Sequence, residues 1–169
     1  NPDIVYDCIE RDDEISIVAR HCWPKLANQY NLSHEHVIGS VTGSDLVNAQ
    51  VKHPFLDKIV PVGDAGFVTE TDGTGIVHIA PGHGQDDYTM GQRLGWETLM
   101  PVGGNGCYTG DFLPGVSVFE ATDAIVQVLN ESGTRVADAT YTHAYPHCWR
   151  CHKPVIFRAT PQWFIALDQ

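Results

Sequence analysis

The chain has 169 residues, 43% hydrophobic and 18% charged, a composition that suits one globular domain with a real core. Ten basic residues set against 21 acidic ones give a formal net charge of −11. That excludes a general nucleic-acid binder, whose affinity comes from clustered Lys and Arg that release counterions from phosphates. No apolar run approaches a membrane span and no signal peptide opens the chain, so the sequence predicts a soluble, cytoplasmic protein without a membrane partner.

In chain order, residues 4–10 and 14–20 alternate around Arg11, Asp12 and Asp13, the pattern of a β-hairpin. A short helix follows over residues 22–30, with Pro24 near its first turn. Residues 37–43 and 47–51 read as strands, and residues 55–62 begin a barrel-like middle built from short strands. Residues 67–70 lead into a turn at Asp72 and Gly73. Further on, residues 98–102 and 107–109 read as short strands around a Gly103 to Gly106 loop. Ser117 and Glu120 form a capping box for a helix over residues 121–132 that Gly133 ends. Residues 136–145 and 155–159 read as strands on either side of a CxxC. Asn1 is not a methionine and the chain stops just after a hydrophobic segment, so it reads as part of something longer.

The stretch DGTGIVHIAPGHGQDDY, from Asp72 to Tyr88, carries the densest chemistry. Ile76, Val77, Ile79 and Ala80 predict a buried strand that Pro81 ends, with His78 as a polar side chain inside it. Gly82, His83 and Gly84 predict a turn open to close backbone approach or positive φ. Asp86 and Asp87 fall in the first turn of a helix running to Leu94. The plainer reading makes His78 a hydrogen-bonded core residue and the two Asp helix caps. The functional reading is that a strand, a turn and a helix start converge on one small cavity.

GTGIVHIAPGHGQDDY resembles the signature of the editing domain inserted into isoleucyl-tRNA synthetases. The related valyl and leucyl enzymes share the GTG and the later Asp but not the VHxAPGHGxDD form. A second match, YPHCWRCHKPVIFRATPQWF from Tyr145 to Phe164, resembles the strands by which that domain rejoins the synthetic core. The resemblance implies a β-rich α/β domain with a β-barrel-like core of short mixed strands and peripheral helices. It divides the chain into an editing domain over residues 1–144, without the family's upstream threonine-rich segment, and return strands over residues 145–169.

The implied activity is hydrolysis of valyl-tRNA(Ile), with help in removing valyl-adenylate. A hydrophobic pocket gains only roughly 1 to 3 kcal/mol from one methylene, a limit this family usually illustrates, so valine must be rejected by a second, size-excluding step. By the resemblance, Asp87 pairs with the substrate's α-ammonium, and His78 lines the side-chain pocket and positions water. Ala80, Gly82, His83 and Gly84 form the wall near the substrate. The ester is already activated, so a positioned water and backbone donors for the oxyanion suffice. The implied partners are the tRNA(Ile) acceptor end, the valyl ester and the Rossmann core of the parent chain, which alone uses ATP. Editing itself needs no cofactor.

The cysteines are Cys8, Cys22, Cys107, Cys148 and Cys151, an odd number without a disulfide framework. Cys148 and Cys151, flanked by His147 and His152, make half of a tetrahedral zinc site. Two other readings stay open. One is a non-catalytic module for the tRNA acceptor end. The other is a metal-dependent hydrolase using His78, His83 and Asp86 or Asp87, though no HExxH framework is present. No GxxxxGK phosphate loop or GxSxG elbow occurs either.

Overall fold

The computed structural model describes residues 1–11, 14–32 and 36–167. Strands β1 (Val5–Arg11) and β2 (Glu14–Ala19) pair antiparallel from Tyr6 opposite Ala19 to Arg11 opposite Glu14. This is the hairpin that the alternation predicts; Asp12 and Asp13 lie outside the described residues. Strand β3 (His36–Thr42) pairs with the other edge of β1, giving the order β2-β1-β3. Its register shifts where Cys8 faces Gly39 and Ile9 faces Val37, which leaves Ile38 as an extra bulge residue.

Helix α1 (Trp23–Tyr30) has Pro24 at its start, where a missing N–H costs nothing, and Asn31 at φ 51° as its left-handed cap. Helix α2 (Gly43–Leu46) is one turn closed by a capping box that the sequence reading missed. There Asp45 accepts from the Thr42 N–H at 2.8 Å and its hydroxyl at 2.7 Å, which holds the Asp45 carboxyl below its ordinary range. Strands β4 (Gln50–Lys52) and β5 (Ile59–Pro61) form a second antiparallel pair, shorter than residues 47–51 and 55–62 predict. Helices α3 (Gln85–Leu94) and α4 (Thr122–Glu131) complete the elements.

The chain divides into two compact units, one of residues 1–78 with 129–137, the other of residues 79–128 with 138 onward. The core of the first comprises Ile4, Tyr6, Ile9, Val18, Ala19 and Cys22, with Trp23, Leu26, Val41 and Leu46 packed against it. Tyr6 buries its ring and donates from its hydroxyl to the Gly75 carbonyl at 2.8 Å, and the Ala19 N–H reaches the Thr74 carbonyl at 2.8 Å. Gly75 has φ 72°, and a side chain there would run into the Ala19 methyl. The GTG of the signature is thereby tied to the hairpin.

Several expectations need correction. Residues 76–80 form no strand: they join no ladder, and Ile76 and Val77 are 48% and 51% exposed. Residues 67–70, 136–145 and 155–159 are not strands either, and residues 98–102 and 107–109 reduce to single bridges of Val102 with Tyr108 and Cys107 with Ser117. Ser117 does not cap α4; its hydroxyl accepts the Phe119 N–H at 3.3 Å, and the helix begins at Thr122. The described strands are β-rich in small antiparallel sheets, and among the described residues no barrel closes.

Candidate functional site

His78 belongs to the first unit, and its side chain is exposed rather than buried in a strand. Its charge is felt at His53, a residue the sequence reading passed over. Burial holds the His53 imidazole below the ordinary histidine value, and His78 and then Lys58 push the same way. His53 Nδ1 accepts from the Leu56 N–H at 3.1 Å and the Phe55 N–H at 3.4 Å. That fixes its tautomer with the proton on Nε2. No sequence pattern marks His53, because its partners are the backbone of its own turn.

The second unit holds Ala80, the glycine turn and Asp87. The His83 N–H closes the turn onto the Ala80 carbonyl at 2.8 Å, and Gly84 is the N-cap of α3 in extended conformation at φ −142°. The glycines are therefore needed for close approach and not for positive φ. A side chain on Gly82 would strike the Leu99 carbonyl and come within 2.6 Å of Met100 Sδ; one on Gly84 would meet Asp87 Oδ2 at 2.9 Å. On Gly82 the near neighbour is thus protein backbone. Gly91 in α3 lies equally tight against the Pro81 ring, at 2.8 Å from a Cβ, and seats the helix under the turn.

Asp87 is half-buried in the first turn of α3, and its Oδ2 accepts the Ala80 N–H at 2.9 Å. One carboxylate oxygen is spent on holding the signature backbone. The other, Oδ1, makes no hydrogen bond among the described residues, and so it can meet a cation. Asp86, by contrast, is exposed. The first-turn N–H groups of α3 have no intrahelical partner and point the same way as its positive dipole end.

The turn is also fastened to residues 157–159. The Ala159 N–H donates to the Gly82 carbonyl at 2.8 Å, and His83 Nδ1 lies 3.0 Å from the Phe157 carbonyl, a contact that requires the proton on Nδ1. His83 Nε2 is buried and has no hydrogen-bond partner among the described residues. Arg158 donates from Nε to the Val102 carbonyl at 2.8 Å. Ala80, Gly82, His83, Gly84 and Asp87 are thus brought together as one local constellation.

At the CxxC, the backbone N–H groups of Cys151 and then Arg150 aim at the Cys148 sulfur and hold its thiol below the ordinary cysteine value. The Cys148 N–H donates to Lys153 O and the His152 N–H to Cys148 O, both at 2.8 Å, with His152 at φ 56°. Such a knuckle presents two thiols. His147 is exposed and spends Nδ1 on the Tyr145 carbonyl at 2.8 Å. Among the described residues no three His, Cys, Asp or Glu gather as a metal site, so the donor set stops at half and gives no support to a metal-dependent hydrolase.

No protein-family model matches the chain. It is 44% identical over 171 residues to the isoleucine-tRNA ligase of Persephonella marina, covering 99% of this chain and 18% of that protein. It is 43% identical over 171 residues to the isoleucine-tRNA ligase of Alkalilimnicola ehrlichii, covering 100% and 18%. It is 44% identical over 164 residues to that of Vibrio parahaemolyticus, covering 95% and 17%. The chain therefore spans 18% or less of the length of these curated relatives. Among solved structures it resembles one described as the crystal structure of GlLeuRS-CP1, with a TM-score of 0.66, 17% identity, and coverage of 83% of this chain and 76% of that one. At that identity the likeness is one of fold.

Proposed function

This chain belongs to the isoleucine-tRNA ligase family as one segment with the fold of a synthetase editing domain, and we propose that it hydrolyses valyl-tRNA(Ile) as a second, size-excluding sieve. The observation that carries the reading is Asp87. Its Oδ2 is tied to the Ala80 N–H and its Oδ1 is open among the described residues, at the start of a helix beside a turn with spare backbone donors. A substrate α-ammonium meets Oδ1 in a charge-assisted contact worth about 1.5–3 kcal/mol. The ester carbonyl then lies toward the N–H groups at the start of α3, which stabilise a developing oxyanion. Removal of valyl-adenylate follows from the same recognition.

The parent enzyme's Rossmann core supplies the ATP-dependent charging step and grips the tRNA body, so this acidic segment need accept only the acceptor end. Its place is the cytoplasm, where tRNA is charged; no helix among the described residues is long and apolar enough to cross a membrane. Zinc at Cys148 and Cys151, if it is bound, requires two further ligands from elsewhere in the parent chain and serves to hold the knuckle.

The reading is tested by removing the ammonium. Hydrolysis of valyl-tRNA(Ile) is compared with that of its desamino analogue, in this chain and in an upstream-extended form, each with and without Asp87→Ala. The wild-type forms should prefer the valyl ester by roughly tenfold to a hundredfold beyond the ratio of the two uncatalysed hydrolysis rates, as the charge-assisted contact demands, and Asp87→Ala should reduce the preference to that ratio. Equal rates on both esters in the wild type would sink the proposed role of Asp87.

A further inference from the structure

Among the described residues, β4 and β5 pair only with each other. A two-stranded hairpin without a third strand is marginal in water, and this one gains little from burial. Val51 and Ile59 are 44% and 59% exposed, and Gln50, Lys52 and Pro61 lie open as well. The strands are closed by the loop from His53 to Lys58. In it the His53 N–H donates to the Lys58 carbonyl at 2.8 Å and the Lys58 N–H to the Leu56 carbonyl at 2.7 Å. The His53 ring supplies the remaining bonds. Its Nδ1 accepts from the Leu56 N–H at 3.1 Å and the Phe55 N–H at 3.4 Å, and the ring stands edge-on to Phe55 with centroids 4.6 Å apart.

The closure thus depends on one lone pair. A neutral imidazole has one acceptor nitrogen and an imidazolium has none. Protonation turns Nδ1 from the acceptor of two N–H groups into a third donor aimed at them. The groups that act on the ring give the new charge no compensation. Burial opposes it first, then His78 from the segment after the GTG, then Lys58 from the same loop, and all three lower the His53 pKa. Lys52 and Asp57, the other charged residues at this end of the hairpin, are exposed and are not among the groups that shift it. A folded-state pKa below the unfolded value of about 6.5 means that neutral His53 adds stability, complete above that value and lost as pH falls through the lowered one.

We propose that His53 is a pH-sensitive latch for the β4–β5 hairpin: neutral, it closes the loop over residues 53–58, and protonated, it releases residues 50–61 from their paired form. The release stops at the base of the hairpin. There the Asn48 N–H donates to the Val62 carbonyl and the Val62 N–H to the Ala49 carbonyl, both at 2.8 Å and both remote from the ring. The inference goes beyond the editing reading and concerns the first unit alone.

The test is a nuclear magnetic resonance titration of the 169-residue chain through the histidine range, from about pH 7.5 to about pH 4.5. Ring nitrogen shifts report the protonation of His53, amide shifts of Phe55 and Leu56 report the loop, and Overhauser contacts between the paired Val51 and Val60 report the hairpin. His53 should titrate below about 6.5, with the loop amides and the loss of the Val51–Val60 contact following the same midpoint. Contacts between Cys8 and Ile17 in the β1–β2 pair should persist throughout. His53→Asn offers a carbonyl oxygen to the same turn N–H groups and does not titrate, so its hairpin should stay closed to the lowest pH. His53→Ala should lack the Val51–Val60 contact at every pH while keeping the β1–β2 pair. His78→Asn removes a charge that opposes protonation, and the shared midpoint should rise toward 6.5. Loop amides that ignore the titration of His53, a hairpin that opens with the wild-type midpoint in His53→Asn, or a closed hairpin in His53→Ala would each overturn the proposal.

Discussion

Asp7 links ionisation to folding in the first unit. It is buried, Arg20 grips it through Nε at 3.0 Å and Nη2 at 2.8 Å, and Ser40 donates to it at 2.8 Å. The Arg20 hydrogen bonds lower its pKa first; burial opposes them and Ser40 assists. A carboxyl with a folded-state pKa below its unfolded value of about 3.9 adds stability that is complete above that value and is lost as pH falls through the lowered one. Half of the Arg20 side chain is exposed, which discounts the pair for solvent screening. Asp7→Asn should therefore cost about 1–2 kcal/mol at neutral pH, read from urea midpoints, and the gap to wild type should narrow below about pH 4. A gap independent of pH would contradict it. Neither Asp7 nor His53 announces its partners in the sequence, because Arg20 and Ser40 reach Asp7 only once three strands are paired.

At the scale of elements, what was legible followed period and punctuation. Alternation marked β1 and β2, Pro24 marked the start of α1, and Asp86 and Asp87 marked the start of α3. The apolar run after the GTG misled, since a short run of β-branched residues does not reveal whether a ladder partner exists. Here the Tyr6 hydroxyl takes the Gly75 carbonyl and the Asp87 carboxylate takes the Ala80 N–H, so side chains satisfy backbone groups that a strand would pair. The turn was read correctly as a close approach, but its neighbour is the Leu99–Met100 backbone and side chain. Gly82→Ala should thus destabilise by about 1–3 kcal/mol through overpacking, measured as a lowered denaturant midpoint. Gly104→Ala, where nothing lies within 4 Å, should stay within about 0.5 kcal/mol. Equal midpoints for the two would refute the packing assignment.

For the molecule as a whole, composition bounded the answer and a motif located it. A charge of −11 sits badly with gripping nucleic acid by its backbone and well with accepting one end of a tRNA held elsewhere. The fold is shared with GlLeuRS-CP1 at 17% identity, so the architecture outlasts the sequence. The most direct measurement is the deacylation rate of valyl-tRNA(Ile) against isoleucyl-tRNA(Ile) in the upstream-extended form. The account predicts hydrolysis of the valyl ester at least about tenfold faster, with that hydrolysis lost in Asp87→Ala. Equal rates on the two esters, or a valyl rate unchanged by Asp87→Ala, would contradict it.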